Sequence, residues 1–321
     1  MSLTVRPAVL DDAPAVCALM NAVDVVEIGR PETDLHTVEA DMSHGETDLA
    51  RDSWLACDDN GPVAYGIVWS ESEGEDMGAD LYSLPGRDEA AAEVLERMEA
   101  RAAGKAAAGG AARAVVHLHL NARPALDTAL LVRRGWRTVR RYQVMTRPLS
   151  PGVDTVPEPP AGLTLRHCRD EADRRIAHAL AQETFAEHFD HHERSYEQWL
   201  DDMDAARIDW SLVWIASVAG EGDVAVLLSR DDREAMGWIR TIGVRAAARG
   251  RGIGGHLLRH AFGTYAARGR DSIGLGVDTE NASGALGLYE AHGMTLHYAV
   301  DTWEAVLQAV LQADRESTRV S

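Results

Sequence analysis

Cysteine is scarce in this chain. Cys17, Cys57 and Cys168 are the only three in 321 residues, and they lie far apart. An odd, dispersed set argues against a disulfide scaffold and offers no metal-type spacing, so the thiols read as buried or incidental. Positive charge is also in deficit. Thirty-two Lys and Arg face fifty-one Asp and Glu, giving a formal net charge of −19. That balance argues against a broad nucleic-acid surface and against a nucleic-acid partner. It leaves room for a local cradle in which backbone N–H groups hold a phosphate. No apolar run reaches the roughly 18 residues of a membrane helix. The opening MSLTVRPAVLDD lacks the basic and apolar stretches of a secretory leader. A cytoplasmic protein with no membrane partner is the expectation.

What is present suffices for real cores. Hydrophobic residues make up 45% of the chain, and its length suits two domains of ordinary size. The sharpest composition shift is PLSPGVDTVPEPP at 148–160, with five prolines in thirteen residues. Such a run forms neither a helix nor a central strand. It reads as a linker, with domains expected at 1–148 and 163–321 and the linker at 149–162.

The flanks resemble each other. LTVRP at 3–7 and LTLRH at 163–167 are short alternating strands, each followed by an acidic turn and a helix. VVHLHLNARPAL leads into LLVRRGWRTVRRYQV in one half, and IGLGVDTENASGAL into LYEAHGMTLHYAV in the other. A period this long means a duplicated domain. Further strands are expected at 53–59, 62–70, 211–219, 223–230, 236–244 and 271–277, with helices over 88–107 and 254–268. Strands alternating with helices give an α/β unit with a mixed sheet. The Ala-rich tract 100–114 reads as a helix end followed by a flexible loop.

The most informative stretch is GWIRTIGVRAAARGRGIGGHLLR, residues 237–259. An apolar strand ends at Val244, a glycine-rich turn follows, and a helix begins. Glycines permit positive φ and close approach to a ligand. They sit where unpaired helix N–H groups point at an anion. The dinucleotide fingerprint fits poorly, and no GK[ST] follows the glycines, which excludes the nucleotide phosphate loop. A tight turn without a ligand stays open on these residues alone.

The stretch resembles the acetyl-CoA-binding motif of the GNAT superfamily of N-acetyltransferases, Arg or Gln, two residues, Gly, one residue, Gly or Ala. Here Arg249, Gly250, Arg251, Gly252, Ile253 and Gly254 fill it. The second half of the family pattern follows in NASGALGLYEAHG, with Asn281 after a strand, Tyr289 in the next helix, and Gly293 with Met294 opening the last strand. The resemblance is good over about 160–300 and looser over 1–148. The layout of two domains also resembles that of the mycothiol synthases.

The resemblance implies an α/β (α+β) fold of two tandem acetyltransferase-like domains, each a mixed, mostly antiparallel twisted sheet flanked by helices. It implies acetyl-CoA as cofactor, with backbone groups of Ile242 and Val244 along the pantetheine arm. Amides from Arg249 to Gly255 would hold the pyrophosphate, and Asn281 would lie close to the cofactor. An amine attacking a thioester needs an oxyanion donor and a proton for the departing thiolate. The Val244 N–H suits the first task and Tyr289 the second. A core tyrosine is the competing reading.

Some relatives place a Glu at the start of the cofactor-binding strand, where this chain has Trp238, so the base lies elsewhere or water relays the proton. Other candidates sit in QETFAEHFDHHERSYEQW, residues 182–199. Glu183 and His188 lead, with Glu187, Asp190, His191, His192 and Glu193 beside them. Glu183 with Glu187, and His188 with His192, have the spacing of one helix face. HFDHH lacks the glutamate of HExxH, and no metal is expected.

The first half keeps Asn121 but carries one glycine, Gly86, in LYSLPGRDEAAAEVL. Asp88 and Glu89 stand where phosphates would approach, and Leu131 replaces the tyrosine. It reads as a degenerate copy. The expected activity is acetyl transfer to a primary amine of a small polar molecule. Protein or peptide N-acetylation, and a non-catalytic acyl-CoA sensor, remain alternatives. The sequence is silent on oligomeric state.

Overall fold

The computed structural model describes residues 3–43, 47–71, 74–189, 191–203, 208–231, 236–280 and 284–309. Contacts divide the chain into two compact units, Met1–Arg141 with Tyr298–Ser321, and Tyr142–His297.

The first unit contains β1 (Thr4–Arg6), α1 (Ala13–Ile28), α2 (Leu35–Met42), α3 (Leu49–Asp52), β2 (Ser53–Asp58), β3 (Gly61–Ser70), β4 (Asp76–Ser83), α4 (Asp88–Ala108), β5 (Arg113–Asn121), α5 (Ala129–Arg133) and the start of β6 (Arg137–Pro148). The second contains the rest of β6, then β7 (Leu163–His167), α6 (Glu171–Phe185), α7 (Tyr196–Asp202), β8 (Val213–Val218), β9 (Gly222–Arg230), β10 (Met236–Val244), α8 (Ile253–Ala267), β11 (Ser272–Asp278), α9 (Ala285–Ala291) and the start of β12 (Thr295–Gln308).

The two sheets follow one plan. The first runs β1-β2-β3-β4-β5-β12 and the second β7-β8-β9-β10-β11-β6. Neighbours are antiparallel except β4 with β5 and β10 with β11. The last strand of each sheet comes from the other half of the sequence. Tyr142–Pro148 of β6 pairs with β11, and Val300–Gln308 of β12 pairs with β5. Each exchanged strand covers a sheet edge whose N–H and C=O groups would otherwise lack partners. The compact units therefore differ from the linear division at the Pro-rich segment by this exchange.

Helices cover both faces of each sheet, as the alternation of side chains requires. In β8, Trp214 and Ala216 join the core under α8 and α9, while Val213 and Ile215 join the core under α6 and α7. The corresponding cores of the first unit lie under α4 and under α1 with α2. The Ala-rich tract holds the end of α4, which runs to Ala108 with Ala102 and Ala106 buried, and β5 begins at Arg113. The Pro-rich segment lies on α8. A Cβ on Gly263 would stand 2.4 Å from the Val156 nitrogen, so glycine there admits the segment's backbone. Cys168 is buried, and Cys17 and Cys57 are half-buried thiols.

Candidate active site

The site begins where two parallel strands part. β10 and β11 pair only from Met236↔Ser272 to Ile239↔Leu275. β10 continues against β9 as far as Val244↔Ala225, past an irregularity between Ile239 and Thr241. β11 stays on β6 up to Asp278. Beyond Ile239, one edge of β10 therefore has no strand beside it.

The register says which groups that edge presents. The Arg245 N–H donates to the Val224 carbonyl at 2.9 Å. Backbone direction alternates along an antiparallel strand. Gly243 thus also faces β9, and the N–H and C=O groups of Ile242 and Val244 face the open edge. The Val244 carbonyl accepts from Arg249 Nε at 3.0 Å, as a carbonyl free of strand pairing does.

The chain then turns through Ala246–Ala248 into Arg249, Gly250, Arg251 and Gly252. Gly250 and Gly252 have φ of 74° and 78°, which side-chain-bearing residues rarely adopt. Gly252 caps α8 without a side-chain acceptor. The first N–H at the start of α8 with a chain acceptor is that of His256, on the Gly252 carbonyl at 3.0 Å. The amides of Ile253, Gly254 and Gly255 thus open an anion-binding helix N-terminus. Gly254 and Gly255 also let α9 come close. A Cβ on Gly254 would stand 3.2 Å from Leu288 Cδ2, and one on Gly255 2.8 Å from His292 Nε2. Arg251 turns away to Glu221 at 2.8 Å.

Tyr289 lies on α9, 6% exposed, in the same apolar cluster as Ile242, Val244, Ile253 and Leu257. Its hydroxyl has no hydrogen-bond partner among the described residues. Burial pushes its pKa up, so it remains protonated at neutral pH and able to donate. The Tyr289 carbonyl accepts from the His292 and Met294 N–H groups at 3.0 and 3.1 Å. Leu131 accepts from Arg134 and Trp136 in the same pattern, at 3.0 and 3.1 Å. Leucine thus stands at the structural equivalent of Tyr289 in the first unit. Asn281 lies outside the described residues, as does Asp190.

The acceptor-side candidates do not share a helix face. α6 ends at Phe185, so the four-residue spacings of Glu183 with Glu187 and of His188 with His192 fall partly or wholly outside it. Glu183, on the last turn, is bound by Arg245 Nε at 2.9 Å. His188 is half-buried and stacked on Phe185, with ring centroids 4.1 Å apart. Burial lowers the pKa of His191. The loop carrying these residues is tied to α6 by the His178 Nε2–Arg194 carbonyl bond at 2.9 Å and by the Arg194 N–H on Gln182 Oε1 at 3.3 Å. Among the described residues no His, Cys, Asp or Glu group is arranged to hold a metal.

Two contacts at the strand exit were missed by sequence reasoning. Arg245 joins Glu183 of α6 to the Asp223 carbonyl of β9, the latter at 2.8 Å. Thr184 packs on Gly243, where a Cβ would stand 2.0 Å from its Oγ1. Together they fix α6 beside the open end of β10. The signal available was the lone arginine ending an apolar strand and the glycine two residues before it. Trp238 is half-buried and lies over Gly274.

The first unit has the same divergence without the cradle. β4 and β5 pair from Asp76↔Val115 to Ala79↔Leu118, and β4 runs on to Ser83. Gly86, with φ of 72°, is the one glycine of the turn. Asp88 and Glu89 occupy the first turn of α4. Carboxylates there repel a phosphate.

Residues 174–294 match the model of the Acetyltransferase (GNAT) family. A mycothiol acetyltransferase of Beutenbergia cavernae is 35% identical over 128 residues, 39% of this chain and 42% of that protein. The chain thus matches less than half the length of that relative. Among solved structures, a GCN5-related N-acetyltransferase from Sphaerobacter thermophilus superposes with a TM-score of 0.80 and 26% identity, covering 95% of this chain and 96% of the other. A tandem GNAT protein from the clavulanic acid biosynthesis pathway gives 0.69 and 16%, over 95% and 98% of the two chains, and shows the shared fold.

Proposed function

We propose, from the premise that the chain is a tandem-domain protein of the GNAT superfamily, that its second unit transfers an acetyl group from acetyl-CoA to a primary amine of a small polar molecule. One observation supports this most. The open edge of β10 at Ile242 and Val244 leads straight into the free amides at the start of α8. An extended arm ending in a diphosphate matches that continuous row of donors.

Bound acetyl-CoA supplies an activated thioester. The chain's own groups do the rest. The amides from Gly250 to Gly255 hold the diphosphate and fix the register of the arm. The Ile242 backbone pairs with the arm, and the Val244 N–H donates to the oxygen that gains charge as the amine attacks. Tyr289 gives its hydroxyl proton to the departing thiolate. On the acceptor side Glu183 and His188 are the proposed bases. Glu183 is bound by Arg245, and His188 stacks on Phe185 just beyond the end of α6.

The test is thiol release from acetyl-CoA across a panel of amino sugars, amino acid derivatives and diamines. Turnover of at least one amine, lost in Tyr289→Phe, supports the reading. Tight acetyl-CoA binding with no turnover of any amine favours a sensor and overturns it.

A further inference from the structure

Beside α8 the second unit holds a cavity of about 370 Å³ that the proposed acetyl transfer does not use. Arg259 and Phe262 of α8, His292 at the end of α9, Arg147 of β6, and Asp154 and Thr155 of the Pro-rich segment line it. Arg259 and Phe262 stand about 9 and 13 Å along a helix axis from Ile253, so the cavity lies beyond the amides that open α8. Its lining sets two guanidiniums against one carboxylate.

That carboxylate is already occupied. Asp154 pairs through Oδ1 with Arg147 Nη2 at 2.7 Å, and its Oδ2 accepts from the Ser150 N–H at 2.8 Å. Arg147 also lies on the Phe262 ring, with Cζ 4.6 Å from the centroid. Its Nη1 is buried and has no hydrogen-bond partner among the described residues, a costly state for a charged donor. Arg259 meets no carboxylate there. Its Nη1 donates to His292 Nε2 at 3.1 Å, and His292 Nδ1 donates in turn to the Leu288 carbonyl at 2.8 Å. The first unit shows the corresponding contact closed by an acid. Arg134 precedes Gly135 as His292 precedes Gly293, and Glu99 of α4 accepts from Arg134 Nε at 3.0 Å and from Trp136 Nε1 at 2.8 Å. There the long helix supplies a carboxylate. In the second unit α8 supplies an arginine, and no acid among the described residues answers it.

We propose that this cavity binds the phosphate group of a small phosphorylated molecule, with Arg259 and Arg147 as counter-ions and Thr155 as a hydroxyl donor. Guanidiniums bind phosphate oxygens through charge-assisted, forked hydrogen bonds. A dianion gives Arg259 the charged partner it lacks and sets negative charge beside the half-met guanidinium of Arg147. The donors come from three elements, α8, β6 and the Pro-rich segment, an arrangement that suits a tetrahedral group better than a planar carboxylate. The volume leaves room for a small organic body beside the phosphate. The site stands independently of the acetyl-transfer reading.

The test is calorimetric titration of the full chain with inorganic phosphate at pH 8 and fixed ionic strength, with and without saturating acetyl-CoA. Wild type, Arg259→Gln and Thr155→Val are compared, and sodium acetate at matched ionic strength serves as competitor. The expected result is one saturable phosphate site that persists in acetyl-CoA. It should weaken at least tenfold in Arg259→Gln and a few-fold in Thr155→Val, and acetate should not displace it. Arg259 and Thr155 are exposed, and a thermal melt checks that each variant folds. No saturable phosphate binding, wild-type affinity in a folded Arg259→Gln, or equal displacement by acetate would each overturn the proposal. So would phosphate heat that vanishes in acetyl-CoA, because it would place the anion at the start of α8. Failure of the acetyl-transfer reading shows separately, as absence of acetyl-CoA heat.

Discussion

Replacing Tyr289 by Phe separates chemistry from packing. The ring fills a buried position on α9, and Phe keeps it. The hydroxyl has no hydrogen-bond partner among the described residues, so removing it breaks no internal bond. Stability should then change by less than about 1 kcal/mol, since it is an unmet partner rather than an absent group that is costly. Affinity for acetyl-CoA should hold within about twofold, because the proposed diphosphate donors are backbone amides. The rate should fall. General acid catalysis contributes about 10²–10⁴-fold, or roughly 3–5 kcal/mol of barrier at about 1.4 kcal/mol per tenfold. The assay is steady-state thiol release beside a calorimetric acetyl-CoA titration. Because burial raises the pKa of Tyr289, its loss of a proton should put no alkaline limb on the wild-type profile below about pH 9. A kcat within twofold of wild type refutes the assignment. Parallel loss of binding and melting temperature would make Tyr289 a structural residue.

Other substitutions test the packing and the buried charges. Gly243→Ala puts a Cβ 2.0 Å from Oγ1 of Thr184, which is itself bonded to the Leu180 carbonyl at 2.6 Å, so denaturant unfolding should show a loss of about 1–3 kcal/mol. Gly263→Ala meets the Val156 backbone and should loosen the Pro-rich segment, read as faster proteolysis between 149 and 162. Burial lowers His260 to about 4, with Trp214 edge-on at 5.1 Å. The unfolded chain therefore binds the extra proton first, and this contribution is present above about pH 6.5 and lost as pH falls toward 4. For a half-buried ring the loss is about 1–2 kcal/mol, and His260→Leu should flatten that acid limb in pH-dependent melts. Asp80 has the opposite sign. The native state keeps its proton up to about 7, so stability falls as pH rises from about 4 to 7. Asp80→Asn should recover about 2 kcal/mol at pH 8, and an unchanged melt there would contradict the placement of Asp80.

Features set by local pattern were legible before any coordinates. The strand ending at Val244, the glycine turn and the start of α8 follow from apolar alternation and from two positions with positive φ. The matched surroundings of Leu131 and Tyr289 follow from the repeat, because each is followed four residues later by a glycine that ends the helix. Features set by distant pairing were hidden. Nothing in RRYQVMTRP says that it will join β11 rather than β5, since edge strands are chosen by the whole sheet. α2 and α7 are short helices recognisable mainly by Asp34 and Ser195 at their caps. The four-residue spacings beyond Phe185 place nothing on a shared face, because the charged residues there have no apolar stripe to bury and α6 ends at Phe185. Asp80 looks like an ordinary solvent-facing strand residue until α1 and α2 are laid over it.

The most direct test of the central claim is a calorimetric titration of the purified chain with acetyl-CoA. The first unit has acidic residues where the second has free amides, so the expected stoichiometry is one site per chain. That site should be lost on disrupting the turn by Gly252→Val, with the fold checked by circular dichroism. Two equivalent sites, or one site unaffected by that substitution in a folded variant, would contradict the placement of the cofactor on α8. No saturable heat at all would contradict the acetyl-CoA reading itself.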